Sequence, residues 1–129
     1  MAIYPTPEQI QQLLAGPGDR PVVMVNLLRF KPRADAPDAG LTGEEAYRRY
    51  VEPMRTFIES KGCRIIWMGR VDSQVIGTGG EDFHAIALVE YPSRQAFVAI
   101  ATDPHVGEIG VHRAAGLESQ WLIAATTGV

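Results

Sequence analysis

The stretch VVMVNLLRF, residues 22–30, is apolar except for an amide, Asn26, set between Val25 and Leu27. Its β-branched content predicts a strand over about residues 21–31. Alternate strand residues point to the same side, so Asn26 shares a face with Val22, Met24, Leu28 and Phe30. Val23, Val25 and Leu27 then share the other face. Burying an amide without a partner costs about 1–3 kcal/mol. Asn26 therefore calls for either backbone groups of the protein or a ligand.

Outward from this strand, Thr6, Pro7 and Gln9 form a helix-start signal for a short helix over about 6–15, ended by Gly16, Pro17 and Gly18. Residues 32–43 are rich in Pro, Gly, Asp and Ala and read as a long loop. Thr42 with Glu45 opens a second helix, whose apolar positions Ala46, Tyr47, Tyr50, Val51, Met54, Phe57 and Ile58 recur at helical spacing. Pro53 predicts a kink near Arg49, and Gly62 a stop. RIIWMGRV (64–71) and FHAIALVEY (83–91) read as strands, with 72–82 extending the first of them into a Gly-rich turn. Ser93 caps a short helix, RQAFVAIAT. Residues 103–116 read as broken helix, because Gly107 and Gly110 weaken it. LESQWLIAAT (117–126) is the last strand.

The order after the first helix is β-α-β-β-α-β, the ferredoxin-like split βαβ pattern of α+β folds: a four-stranded antiparallel sheet with helices on one face. The 129 residues suit one such domain. The other face of the sheet is apolar whichever parity of 22–30 it presents. Apolar faces beyond a few hundred Å² usually meet a partner, so a homodimer packed sheet to sheet is expected.

The net charge of -3 argues against nucleic acid as a partner. The basic clusters Arg48–Arg49 and Arg29–Phe30–Lys31 read as solvated or locally paired. One cysteine, Cys63, excludes an intramolecular disulfide and fits a reducing, cytoplasmic home, with Cys63 itself as a small buried filler. MAIYPTPEQIQQ lacks a signal-peptide pattern, and no apolar run approaches the 18 residues of a membrane span, so no membrane partner is expected.

VNLLRFK (25–31), EAYRRY (45–50), KGCRIIWMGR (61–70), LVEYPSRQAF (88–97) and HRAAG (112–116) together resemble the domain of unknown function 1330 family. The resemblance covers residues 20–126. It implies the dimeric α+β barrel superfamily, two ferredoxin-like protomers joined in one barrel, with a small pocket between sheet and helices in each. Relatives in that superfamily include cofactor-free oxygenases, lactone isomerases, haem enzymes and stress-response proteins, and fold alone does not choose among them. Cys63, where a second glycine is commoner, and the N-terminal helix depart from the family pattern.

Among individual residues, Asn26 reads as a polar anchor in an apolar pocket or as a tie to loop backbone. Tyr50 and Trp67 read as pocket walls or as core. Arg113 reads as a clamp for a carboxylate or enolate, since a guanidinium offers paired donors, or as the partner of Glu90 or Glu118. His84, beside Glu81 and Asp82, reads as a base or as a solvated strand end; His105 is a second candidate proton mover, and His105 and His112 line the mouth of a pocket or cap local backbone. His105, Glu108 and His112 could share one helical face, but their spacing is not that of a zinc helix, so no metal is expected. Haem would need His105 or His112 as axial ligand, and no cofactor is expected. GTGGED (77–82) lacks a P-loop lysine and reads as a turn, and no G-x-S-x-G elbow occurs.

Two functions follow. The chain is a small-molecule enzyme without a bound cofactor, an oxygenase or isomerase acting on a carbonyl or phenolic compound. In it Asn26 and Arg113 steady negative charge and His105 or His84 moves a proton. Alternatively it is a dimeric ligand-binding or stress-response protein with the same pocket and no chemistry.

Overall fold

The computed structural model describes residues 2–128. Its elements are α1 (Pro7–Leu14), β1 (Val22–Phe30), α2 (Gly43–Ser60), β2 (Arg64–Arg70), β3 (Ala85–Tyr91), α3 (Arg94–Ala101), α4 (Pro104–Gly116) and β4 (Leu117–Ala125). The strands pair antiparallel in the order β2-β3-β1-β4, the ferredoxin-like α+β arrangement. Central β1 lies between β3 and β4, with Asn26 opposite Ala87 on one side and Leu122 on the other.

Local chemistry explains most boundaries. Thr6 and Thr42 each accept from the amide three residues on, while Gln9 and Glu45 reach back to the cap amides. These capping boxes satisfy donors that a helix start leaves orphaned. Pro53 lies inside α2, where it offers no amide to the Arg49 carbonyl.

Two expectations change. Residues 104–116 form one continuous helix despite Gly107 and Gly110. Asp103 caps it by accepting from the His105 amide, Pro104 occupies its first turn, and packing against α2 supplies what propensity lacks. The second crossover thus contains two helices, α3 and α4. The extension of β2 through 72–82 does not form either: β2 ends at Arg70, and a single turn of 3₁₀ helix, Gly80–Asp82, precedes β3. Gly77 and Gly79, at φ +83° and +103°, turn the chain there in a region that suits glycine.

The core lies between sheet and helices. Val22, Met24, Val89 and Tyr91 from the sheet pack with Ile58, Cys63 and Ile100, flanked by Met54, Phe57 and Phe97. Cys63 is buried there, and burial raises its thiol pKa. The face bearing Val22, Met24 and Leu28 therefore meets the helices. The opposite face leaves Trp67, Trp121 and Ile123 about half exposed (52, 57 and 49 %). Among the described residues no helix is long and apolar enough to cross a membrane.

Candidate functional site

Asn26 lies on the helix side of β1, diagonal to Gln120 of β4, which stands opposite Leu28. The Gln120 Nε2 donates to Asn26 Oδ1 at 2.8 Å. Asn26 Nδ2 donates to the carbonyls of Met24 (3.3 Å) and Ala87 (3.2 Å). Gln120 Oε1 accepts from Arg113 Nη2 of α4 at 2.6 Å, and the same nitrogen donates to the Ile3 carbonyl. The amide in the strand thus begins a chain that fixes a guanidinium. Tyr4 lies beneath that guanidinium, 5.2 Å from its carbon, so the N-terminal segment covers one side of Arg113. Among the described residues, Arg113 Nε and Nη1 make no hydrogen bond.

Tyr47 and Tyr50 of α2 flank this chain, their rings 5.4 Å apart. Burial raises the pKa of both hydroxyls, and the nearby positive charge of Arg113 offsets part of the shift. Both are therefore neutral donors at ordinary pH. Phe30 packs on Tyr47 at 5.4 Å and stacks on His84 at 5.8 Å, which places His84 two rings from Tyr47. The His84 Nδ1 accepts from the Phe30 amide at 3.0 Å, so a neutral His84 carries its proton on Nε2. Leu122, on the same sheet face as Asn26, is 42 % exposed and marks the side on which this cluster approaches solvent.

A second polar group forms on another part of α4. His112 Nδ1 lies 2.7 Å from Asp38 Oδ2, and Arg49 Nη1 donates to Asp38 Oδ1 at 2.9 Å. The Asp38 side chain is fully buried within the loop before α2. A backbone bond from Ala34 to Leu41 closes that loop, and one from Asp35 to Ala115 holds it on α4.

The residues singled out in the sequence thus separate. Asn26, Tyr50 and Arg113 come together. His112 joins Asp38 instead, and His105 packs its ring on Phe57 at 5.1 Å. Trp67 faces away: it stands opposite Leu88 on the open side of the sheet, with its ring over Gly69, so it shares no wall with Tyr50. Arg113 pairs with neither Glu90 nor Glu118; Glu90 binds Arg64 at 2.9 Å. Among the described residues no three His, Cys, Asp or Glu side chains are grouped as a metal site. Sequence reading missed Gln120, which sits with Glu118 and Ser119 at the polar start of β4 and so carries no local signal like that of Asn26. Tyr47 passed as core, and nothing local distinguished Asp38 from the other loop acids.

Comparison places the fold first. A dabb family protein with a ferredoxin-like fold from Mesorhizobium loti superposes with TM-score 0.56 at 13 % identity, over 84 % of this chain and 98 % of that one. A protein of unknown function from Rhodopseudomonas palustris is far nearer: 35 % identity over 98 % of this chain and 97 % of that one, with TM-score 0.88. A methylated form of the same protein agrees, at 35 % identity, 99 and 96 % coverage and TM-score 0.88. The chain belongs to the family of that Rhodopseudomonas protein. No family model matches it, and no curated protein does.

Proposed function

We propose that the chain is a homodimeric, single-domain protein that binds a small carbonyl-bearing or phenolic compound as its anion between sheet and helices. The observation that carries this is the Asn26–Gln120–Arg113 chain, which holds a guanidinium with unused donors near two buried tyrosines. Arg113, Tyr47 and Tyr50 all donate, and Asn26 orients Gln120. Such donors suit an enolate or phenolate oxygen, because buried donors bind developing charge strongly. The best-supported reading is therefore ligand binding. The motifs NLLRFK and VEYPS support placement in the domain of unknown function 1330 family, and with it the dimeric α+β barrel assembly. The lone Cys63 supports a cytoplasmic location.

A catalytic reading, cofactor-free isomerisation or oxygenation, rests on one observation. Buried Asp38 fixes His112 through Nδ1, which leaves Nε2 as the proton-accepting atom. His112 then replaces His105 and His84 as the base, since His105 lies on Phe57 and neutral His84 has its free nitrogen protonated.

The test is extraction of the purified protein and identification of retained small molecules by mass spectrometry. Wild type should retain a carbonyl or phenolic compound that Arg113→Gln loses. Equal retention by both would reject this site. Turnover of that compound by wild type, abolished in His112→Asn with binding kept, would establish the catalytic reading.

A further inference from the structure

Residues 2–5 run from the edge of β4 across Arg113 to the Thr6 cap of α1. Among the described residues, two hydrogen bonds hold this strap. The Gln120 amide donates to the Ala2 carbonyl at 3.0 Å, and Arg113 Nη2 donates to the Ile3 carbonyl. The Tyr4 ring adds its stack on the guanidinium. Ala2, Tyr4 and Pro5 are exposed and Ile3 is partly so, and none of them belongs to the buried core. The far end of the strap is fixed, because the Thr6 amide donates to Gln9 Oε1 at 2.9 Å in the capping box of α1. Tyr4 and Arg113 meet on the helix side of the sheet, away from the face proposed for the dimer.

A guanidinium grips a carboxylate through two parallel N–H bonds from neighbouring nitrogens. Nη2 belongs to both such pairs, side-on with Nε and end-on with Nη1. In Arg113 the two hydrogens of Nη2 meet two acceptors, Gln120 Oε1 at 2.6 Å and the Ile3 carbonyl. With the strap down, Arg113 therefore offers single bonds from Nε or Nη1 and no fork. That suits an anion whose charge sits on one oxygen. Lifting the strap releases one Nη2 hydrogen and opens a fork. Gln120 keeps the other hydrogen, and Asn26 keeps Gln120 in place.

Given Arg113 as the ligand-binding group, as proposed for the chain, we infer that the strap of residues 2–5 sets the class of ligand it takes. Closed, the strap selects one-oxygen anions, phenolates and enolates. It must lift before a carboxylate binds at two points. A ligand shifts such an equilibrium only by its differential affinity for the two states. A carboxylate has that difference, because its second bond exists only with the strap lifted. A phenolate gains no second bond from opening.

The experiment titrates 4-nitrophenolate and benzoate into the purified protein by calorimetry, at mildly alkaline pH where both are anions. Wild type should bind 4-nitrophenolate more tightly. Tyr4→Gly removes the stack and loosens the strap. It should shift the preference toward benzoate by about threefold or more, the contribution of an exposed cation–π pair. In wild type, benzoate should speed hydrogen exchange at the Gln120 amide, whose acceptor Ala2 leaves with the strap, and 4-nitrophenolate should not. This readout needs no variant. Arg113→Gln should weaken both probes. Equal exchange at Gln120 with either probe, or a preference unchanged in Tyr4→Gly, overturns the role of the strap and leaves the Arg113 site standing. Binding of both probes that survives Arg113→Gln, or no saturation by either at millimolar concentration, rejects site and strap together.

Discussion

Gly43 and Gly116 meet backbone to backbone: a Cβ on Gly43 would stand 2.7 Å from the Gly116 carbonyl oxygen, and one on Gly116 would stand 2.3 Å from that of Gly43. The Lys31 amide donates to Gly116 at 2.8 Å and the Gly43 amide donates to Lys31 at 3.0 Å, so the end of β1 is sewn to both helices here. Ala46 and Ala115 continue the close approach. This crossing brings α4, and with it Arg113, against α2. Gly43→Ala or Gly116→Ala should cost about 1–3 kcal/mol, the usual effect of overpacking. Gly107 and Gly110 have open space where a Cβ would go. Alanine at either should stabilise by roughly 0.5–1 kcal/mol, because glycine in a helix interior carries excess unfolded-state entropy. Urea denaturation of the four variants measures both signs.

Asn26 has its own consequence. Asn26→Leu keeps the volume but leaves Gln120 Nε2 without its acceptor. The expected loss is about 1–3 kcal/mol. Replacing Gln120 as well, in Asn26→Leu/Gln120→Leu, should recover part of it, since two apolar groups leave no orphan. A double-mutant cycle by chemical denaturation decides this.

Asp38→Asn removes the charge shared by Arg49 and His112. Both partners reach solvent, with side chains 57 and 28 % exposed, so they rehydrate in part. A loss of about 1–3 kcal/mol is expected. Amide hydrogen exchange should accelerate first at Ala34, whose amide donates to the Leu41 carbonyl, and at Leu41, whose amide donates to the Asp38 carbonyl.

Glu44 joins α2 to β2 through Arg70 and also pairs with Arg48. The Arg70 hydrogen bond lowers its carboxyl pKa below the ordinary 4.5. A depressed carboxylate contributes stability that is present above the unfolded pKa and lost as pH falls through the folded one. Thermal melts from pH 6 downward should therefore show wild type losing ground on Glu44→Gln below about pH 4.5, by about 0.2–1 kcal/mol. Parallel curves would remove Glu44 as the source.

The open sheet face predicts assembly. Light scattering at micromolar concentration should give twice the chain mass, and Trp121→Asp/Ile123→Asp should give the monomer with unchanged circular dichroism. A wild-type monomer would refute the homodimer.

VVMVNLLRF, with the two capping boxes and the order of apolar runs, determined the fold class, because a strand period of two and a helix start at Thr42 are local properties of the chain. The same local reasoning identified the helix-facing side of β1. It mistook α4 for broken helix, because the packing that outweighs Gly107 and Gly110 comes from α2, distant in sequence. It also brought Trp67 to Tyr50, because the register shift between Ile65 and Trp67 belongs to the β2–β3 pairing and is invisible in either strand alone. The partners of Asn26 and His112 lie 94 and 74 residues away along the chain. Only the folded sheet and the α2–α4 crossing decide that one amide meets Gln120 and one histidine meets Asp38.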